Sequence, residues 1–470
     1  MTDAPTLAAA RRASLTAPAG TGKTELIAKA VAEHGGRREL ILTHTHAGVE
    51  ALRRRISKYA RTPGSFEVHT IAGWVLRYAG AFPASSQVPD GVPANQAAWD
   101  QAYAAVDRLL DRGPIKDIVR ASYSGIFVDE YQDCSVGQHA IIMKLGAIVP
   151  IRILGDPLQG IFDFGRNTPV QWDRDVTPNF PPLVPLAEPW RWNNTNRDLG
   201  RWLAAARTEL EGGRSINLAG APVTWIQIPQ QNPVGVMVNA CFNLAQNSQG
   251  SIVAIHKMPQ QCHYVGSRLS GLYQCIEPID SVDLSTAAQS IDQANGAGKA
   301  VALIDFTSKC QTKIKTDLKR IRTAFSNGTE PNVRAANLLA AANALTTLSR
   351  SNSLPDALAA LAVLKTFPGA VLFRRELFDE MERSLRLVIA GEAASLKDAV
   401  WQARNRTRFS GRRVGRCIIG RTLLVKGLEF DHCVLLDADG LGAKDLYVAL
   451  TRGARSLTIL SRAQTITPAN

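Results

Sequence analysis

Two short stretches hold the residues best suited to chemistry. The first is APAGTGKTEL, Ala17 to Leu26, which fits the pattern G-x-x-x-x-G-K-[ST] except that Ala17 stands at the first glycine. Phosphates need exposed backbone N–H groups at a helix N-terminus, a lysine reaching the β- and γ-phosphates, and a hydroxyl on Mg²⁺. Gly20, Gly22, Lys23 and Thr24 meet those needs, and Thr21 and Glu25 complete the nucleotide-binding stretch. The second is IFVDEYQD, in which Asp129 ends an apolar run and Glu130 follows it. An aspartate there can hold Mg²⁺, and the adjacent glutamate can orient and deprotonate an attacking water. An Asp-Glu pair alone would as readily cap a helix; behind a phosphate loop it points to hydrolysis of ATP or GTP.

These residues need strands that end where the phosphates lie. ELILTHT (Glu39 to Thr45), YSGIFVDE (Tyr123 to Glu130) and IRILGD (Ile151 to Asp156) are short apolar runs ending in polar residues, as buried parallel strands do. VTWIQI, SIVAIH, CIIGRTLLV, CVLLDAD and SLTIL form a second strand set. AAWDQAYAAVDRLLDR and the Ala/Leu-rich segments AANLLAAANALTTLSR and RELFDEMERSLRLVIAG have helical spacing. PNFPPLVPLAEP, Pro178 to Pro189, reads as an extended linker. The order predicts an α/β protein with two parallel-sheet domains, each interrupted by a mainly helical insertion. Residues 1–77 and 115–185 form the first domain around the insertion 78–114. Residues 186–296 and 414–470 form the second around the insertion 297–413.

Of 470 residues, 45% are hydrophobic and 20% charged, which excludes a disordered or collagen-like chain. Lys and Arg number 54 against 41 Asp and Glu, a net charge of +13 that suits a polyanion partner. The seven cysteines show neither a C-x-x-C pair nor zinc spacing, so reduced thiols are expected. No run of about 18 apolar residues could span a bilayer, and the N-terminal stretch lacks the order of a secretion signal. A soluble, cytoplasmic protein with no membrane partner is expected.

Beyond the two stretches, the chain resembles superfamily 1 helicases of the UvrD/Rep/PcrA kind. LILTHTHAGVEALRRRI, VHTIAGWVLR, IFVDEYQD, LGDPLQGIFDF, EPWRWN, KGLEFD and LYVALTRG follow the phosphate loop in that family's motif order. The resemblance implies two RecA-like motor domains with Mg-ATP in the cleft between them. It implies that Gln159 senses the γ-phosphate, that Trp190 stacks on adenine, that Glu429 contacts the ribose, and that Arg191 and Arg452 are arginine fingers. Lys23, Asp129 and Glu130 would complete the catalytic set, with Thr24 and Asp129 on the metal. It also implies strand contacts by Thr43, Thr45, His69 and Thr70 and base contacts by Phe162 and Phe164.

The chain departs from the family pattern at several positions. No glutamine precedes the phosphate loop to read adenine, Asp163 and Gly165 replace arginines usual in relatives, and Leu423 stands where they have histidine. Two basic clusters, Lys309 to Arg322 and Arg404 to Arg416, read as solvated faces or phosphate tracks. The expected activity is ATP-dependent movement along single-stranded or partly duplex DNA, 3′ to 5′. The alternative is an ATP-gated DNA-sensing subunit of a separate nuclease, an arrangement that compact UvrD-like proteins adopt in bacterial anti-phage systems such as Gabija.

Overall fold

A computed structural model describes residues 1–33, 38–60, 62–89, 93, 96–162, 168–278, 281–410 and 415–469, the side chains of 96 and 404–410 excepted. Two compact units divide the chain: Met1–Pro222 with Gly440–Arg455 and Thr467–Asn470, and Val223–Asp439 with Ser456–Ile466.

The first unit is built on five strands: β1 (Arg12–Thr16), β2 (Glu39–Thr43), β3 (Phe66–Thr70), β4 (Gly125–Val128) and β5 (Ile151–Gly155). They pair in the order β1-β5-β4-β2-β3, every pair parallel. Both faces of the sheet are covered, because side chains alternate across a strand. Ile41, Phe127 and Leu154 join one core with Ile27, Val31, Val49 and Leu52 from the helices Lys23–Glu33 and His46–Ile56. Leu40, Leu42, Ile126, Val128 and Ile153 join the other with Trp74, Val106, Ile141 and Leu145 from helices Ile71–Ala81, Gln96–Leu109 and Val136–Ile148. Each fully buried Leu or Ile contributes about 1.5–3 kcal/mol, so these layers fix the strand register. The carboxyl ends of β1, β4 and β5 therefore present the phosphate loop, Asp129-Glu130 and Asp156 on the sheet edge where open α/β folds bind ligands.

Three expectations are revised. The proline-rich stretch is no free linker: Ser14 N–H donates to Pro181 O, and Leu183 and Leu186 N–H donate to Ser14 O and Thr16 O, so it lies along β1. Proline cannot donate to a ladder, which confines it to such an edge. β3 has no counterpart among the expected strands, since FEVHT offers only Phe66 and Val68 as apolar residues. The domain boundary after 185 also differs from the division of the chain, in which residues to Pro222 and 440–455 belong to the first unit. The reason is a contact between distant segments: the Trp192 indole is 2% exposed and donates to Gly453 O at 2.9 Å.

After a short β6 (Ile216–Asn217), the second unit carries β7 (Thr224–Gln227), β8 (Ile252–Ile255), β9 (Gln274–Cys275), β10 (Cys417–Gly420), β11 (Phe430–Leu435) and, from Ser456 onward, β12 (Gly453–Ser461). Their order is β7-β12-β11-β8-β10-β9. β10 runs parallel to β8 and β9, β11 to β8, and β12 to β7. The run CIIGRTLLV is split, with the strand ending at Gly420 and a helical turn at Thr422–Val425. The helical insertion has its own core, including Leu303, Phe306, Leu345, Leu361, Phe378 and Leu385. It begins one helix earlier than expected, because Val282–Gln293 contributes Leu284, Ala288 and Ile291 to that core. Among the described residues no helix is long and apolar enough to cross a membrane, and the seven cysteines are buried without a disulfide.

Candidate active site

The phosphate loop turns between β1 and the helix Lys23–Glu33 on two glycines of positive φ, Gly20 at 72° and Gly22 at 83°. Ala17, at the first position of the pattern, is 1% exposed and donates its N–H to Gly155 O. A methyl group fits there, so the departure at Ala17 leaves the loop intact. A Cβ on Gly20 would lie 2.6 Å from Trp192 Cζ3 and 2.9 Å from Arg191 Cβ, so the loop is closely covered. Arg191 N–H donates to Gly20 O at 3.1 Å, and its guanidinium donates to Thr451 O at 2.8 Å. The backbone of the arginine-bearing segment is thus fastened to the phosphate loop.

Lys23 Nζ lies 3.0 Å from Asp129 Oδ1 and 2.5 Å from Glu130 Oε1. Burial alone would push the ammonium down, but the two carboxylates outweigh it and raise its pKa. Burial raises the Asp129 carboxyl above its usual range, Lys23 opposes this, and Glu130 adds to it. Glu130 adopts φ 56°, a left-handed conformation uncommon outside glycine, and its N–H donates to Asp129 Oδ1 at 2.9 Å. A non-glycine residue held in this region carries local strain, of the kind that clusters at functional sites.

Behind Glu130 runs a hydrogen-bonded chain. Gln132 Nε2 donates to Glu130 Oε2 at 2.5 Å, and Asp156 N–H donates to Gln132 Oε1 at 2.9 Å. Gln159 Nε2 donates to Asp156 Oδ2 at 2.7 Å. Arg207 closes on the Asp156 carboxylate with two bonds, 2.8 and 2.7 Å. Tyr447 OH accepts from Ala19 N–H at 3.3 Å, and its ring lies under the Arg207 guanidinium at 5.0 Å.

The structure brings Gly20, Gly22, Lys23, Asp129, Glu130 and Arg191 together, and joins Gln159 to Glu130 through Asp156 and Gln132. Arg452 is 2% exposed and donates to Val448 O at 2.8 Å and Thr451 Oγ1 at 3.0 Å, next to the carbonyl that holds Arg191. Thr21 Oγ1 donates to Pro18 O, closing the loop on itself. Trp190 is 61% exposed, with its Cδ1 3.4 Å from where a Gly22 Cβ would stand. The Glu25 carboxylate is engaged by Arg55 at 2.8 Å and by the Tyr59 hydroxyl. Glu429 is exposed and belongs to the second unit.

Thr45 and Thr70 accept from Gly48 and Gly73 N–H as helix N-caps, and Thr43 is buried. His69 Nε2 lies 3.4 Å from Glu67 Oε2, and burial lowers the imidazole's pKa against that carboxylate. Phe162 is half-buried, while Phe164, Asp163 and Gly165 lie outside the described residues. So do the side chains of Arg404, Arg406 and Arg408, and Arg412 and Arg413 entirely.

Sequence reasoning missed Arg207, Asp156, Gln132 and Tyr447 as functional residues. Arg207 had a signal: in the helix Arg197–Glu211 the buried stripe Leu199, Leu203, Ala206, Leu210 is joined by one arginine. A charge on a buried stripe requires a partner.

Thr24 and Asp129 offer a hydroxyl and a carboxylate, hard oxygen donors suited to Mg²⁺. Among the described residues no three His, Cys, Asp or Glu cluster as a metal cage. A cation held by these two would take the rest of its shell from phosphate and water, as Mg²⁺ does in nucleotide sites.

Residues 3–165 match a family model described as an AAA domain. Domains of this kind occur in UvrD/Rep-like superfamily 1 helicases, and the match supports that superfamily and a P-loop nucleotide-binding domain. Among curated proteins nothing matches the chain.

Proposed function

We propose that the protein hydrolyses Mg-ATP to drive movement along single-stranded DNA in the 3′ to 5′ direction. The observation that carries the reading is the joining of Lys23, Asp129 and Glu130 at the phosphate loop to Gln159 through Gln132 and Asp156. A bare nucleotide-binding site needs the first part; an engine that couples hydrolysis to a track needs a connection of the second kind.

Bound Mg²⁺, held by Thr24 and Asp129, would neutralise charge on the phosphate oxygens. Phosphate oxygens and the two carboxylates compete for the Lys23 ammonium, so nucleotide binding releases Glu130 Oε1. Glu130 then takes a proton from the water attacking the γ-phosphorus, and the bond to the β–γ bridging oxygen breaks to leave ADP and phosphate. Arg191 and Arg452 would spread the charge on the transferred group, and Trp190 would stack on the base. Thr45, His69 and Phe162 would meet the strand, where stacking tolerates any sequence.

Steady-state hydrolysis with and without a single-stranded oligonucleotide, using Lys23→Ala as the blank, tests this. DNA-stimulated turnover absent from the variant is the expected result; turnover that DNA does not change would overturn the coupling.

A further inference from the structure

Asp156 is fully buried, and its carboxylate and backbone N–H together make five hydrogen bonds. Oδ1 accepts from Arg207 Nη2 at 2.7 Å and Leu158 N–H at 3.2 Å. Oδ2 accepts from Arg207 Nη1 at 2.8 Å and Gln159 Nε2 at 2.7 Å. Its own N–H donates to Gln132 Oε1 at 2.9 Å.

These bonds have a directional consequence. A backbone N–H only donates, so Gln132 must turn its oxygen to Asp156 and its NH₂ to Glu130. Ionised Asp156 only accepts, so Gln159 must turn its NH₂ inward. Gln132 is set by the Asp156 backbone and Gln159 by its carboxylate, so both amides lose their freedom to flip as long as Asp156 is held in place. The fork of Arg207 does this: a planar guanidinium bound through two nitrogens fixes the carboxylate's position and rotation. Arg207 is itself held by the Tyr447 ring at 5.0 Å and by Glu211 Oε1 at 2.8 Å.

A buried ion pair is a poor source of net stability, since desolvation offsets most of its attraction. Its geometric effect is the larger one here. We propose that Arg207 is a positioning residue for hydrolysis, gripping Asp156 so that Gln132 and Gln159 keep the amide orientations that aim Glu130 at the attacking water. The inference rests on the proposed ATP hydrolysis.

The test uses the full chain and reads kcat, KM for ATP and affinity for a non-hydrolysable ATP analogue. Arg207→Lys keeps the charge and loses the fork; kcat falls roughly tenfold while KM and analogue affinity stay within about twofold. Gln132→Ala alone lowers kcat by a similar factor. In the Gln132→Ala background Arg207→Lys costs less than about threefold, because the two act along one chain. Glu211→Gln, which removes only the outer partner of Arg207, leaves kcat within about twofold.

An unchanged kcat in Gln132→Ala overturns the proposal, whether or not Arg207→Lys folds. So does an equal loss from Arg207→Lys in both backgrounds, which is the mark of a merely structural role. A wild-type chain that hydrolyses no ATP, with or without DNA, overturns the parent reading and this one together; active wild type beside an unaffected Arg207→Lys overturns this one alone.

Discussion

Replacing Gly20 by alanine should do more damage than the same change at Gly22, although both glycines belong to one loop and share positive φ. At Gly22 the new methyl group meets Trp190 Cδ1 at 3.4 Å, an ordinary contact, so the cost is that of a left-handed alanine, about 1–2 kcal/mol. At Gly20 the methyl would stand 2.6 Å from Trp192 Cζ3 and 2.9 Å from Arg191 Cβ. Neither can yield cheaply, because the Trp192 ring is buried and Arg191 N–H is bonded to Gly20 O. Overpacking adds about 1–3 kcal/mol to the same strain, for a total of about 2–5 kcal/mol. Urea unfolding without nucleotide measures both variants free of any effect on ATP affinity. Trp192→Leu added to Gly20→Ala should cost less than the sum of the two single changes, since the closest clash is gone. Equal losses in Gly20→Ala and Gly22→Ala, or strict additivity in the double variant, would refute the claim that the arginine-bearing segment is seated on Gly20.

Glu130→Gln should bind ATP with near wild-type affinity and release phosphate about 10²- to 10⁴-fold more slowly, the range for a lost general base. Equilibrium binding beside phosphate release decides this, and normal turnover would assign the base elsewhere. In the second unit, burial lowers the His256 pKa to about 4, and Met258 N–H donates to its Nδ1 at 2.9 Å. A histidine held neutral in the fold binds its proton only when unfolded, so its stabilisation is full above about 6.5 and is lost as pH falls towards 4. The unfolding free energy should decline by roughly 3 kcal/mol across that window. His256→Asn, which can still accept from Met258, should flatten the urea midpoint between pH 7 and 4.5; an unchanged slope would place the titration elsewhere.

Much of the site was legible because its residues lie at strand ends that composition marks. Asp129 and Glu130 follow IFV, a run buried on both faces. What escaped depends on contacts between distant segments. Trp192 and Arg207 are tied to Gly20 and Asp156; the stripe of the helix Arg197–Glu211 shows that Arg207 needs a partner, but no local pattern says which. The same contacts explain why this stretch belongs with the first sheet. PNFPPLVPLAEP misled for a related reason: prolines signal extended backbone equally whether it hangs free or lines a sheet edge. The helix Val282–Gln293 was missed because VDLSTAAQSIDQ carries few large apolar residues, and its buried face includes small Ala287 and Ala288.

In the proposed function, hydrolysis at Lys23, Asp129 and Glu130 drives directed movement on a DNA strand. Displacement of streptavidin from single-stranded oligonucleotides biotinylated at one end tests it most directly, with ATP against the non-hydrolysable analogue and Lys23→Ala beside wild type. The expected result is ATP-dependent release from the 5′ end, little from the 3′ end, and none with the variant. DNA-stimulated hydrolysis without release from either end would contradict it and point instead to an ATP-gated subunit acting on a separate nuclease.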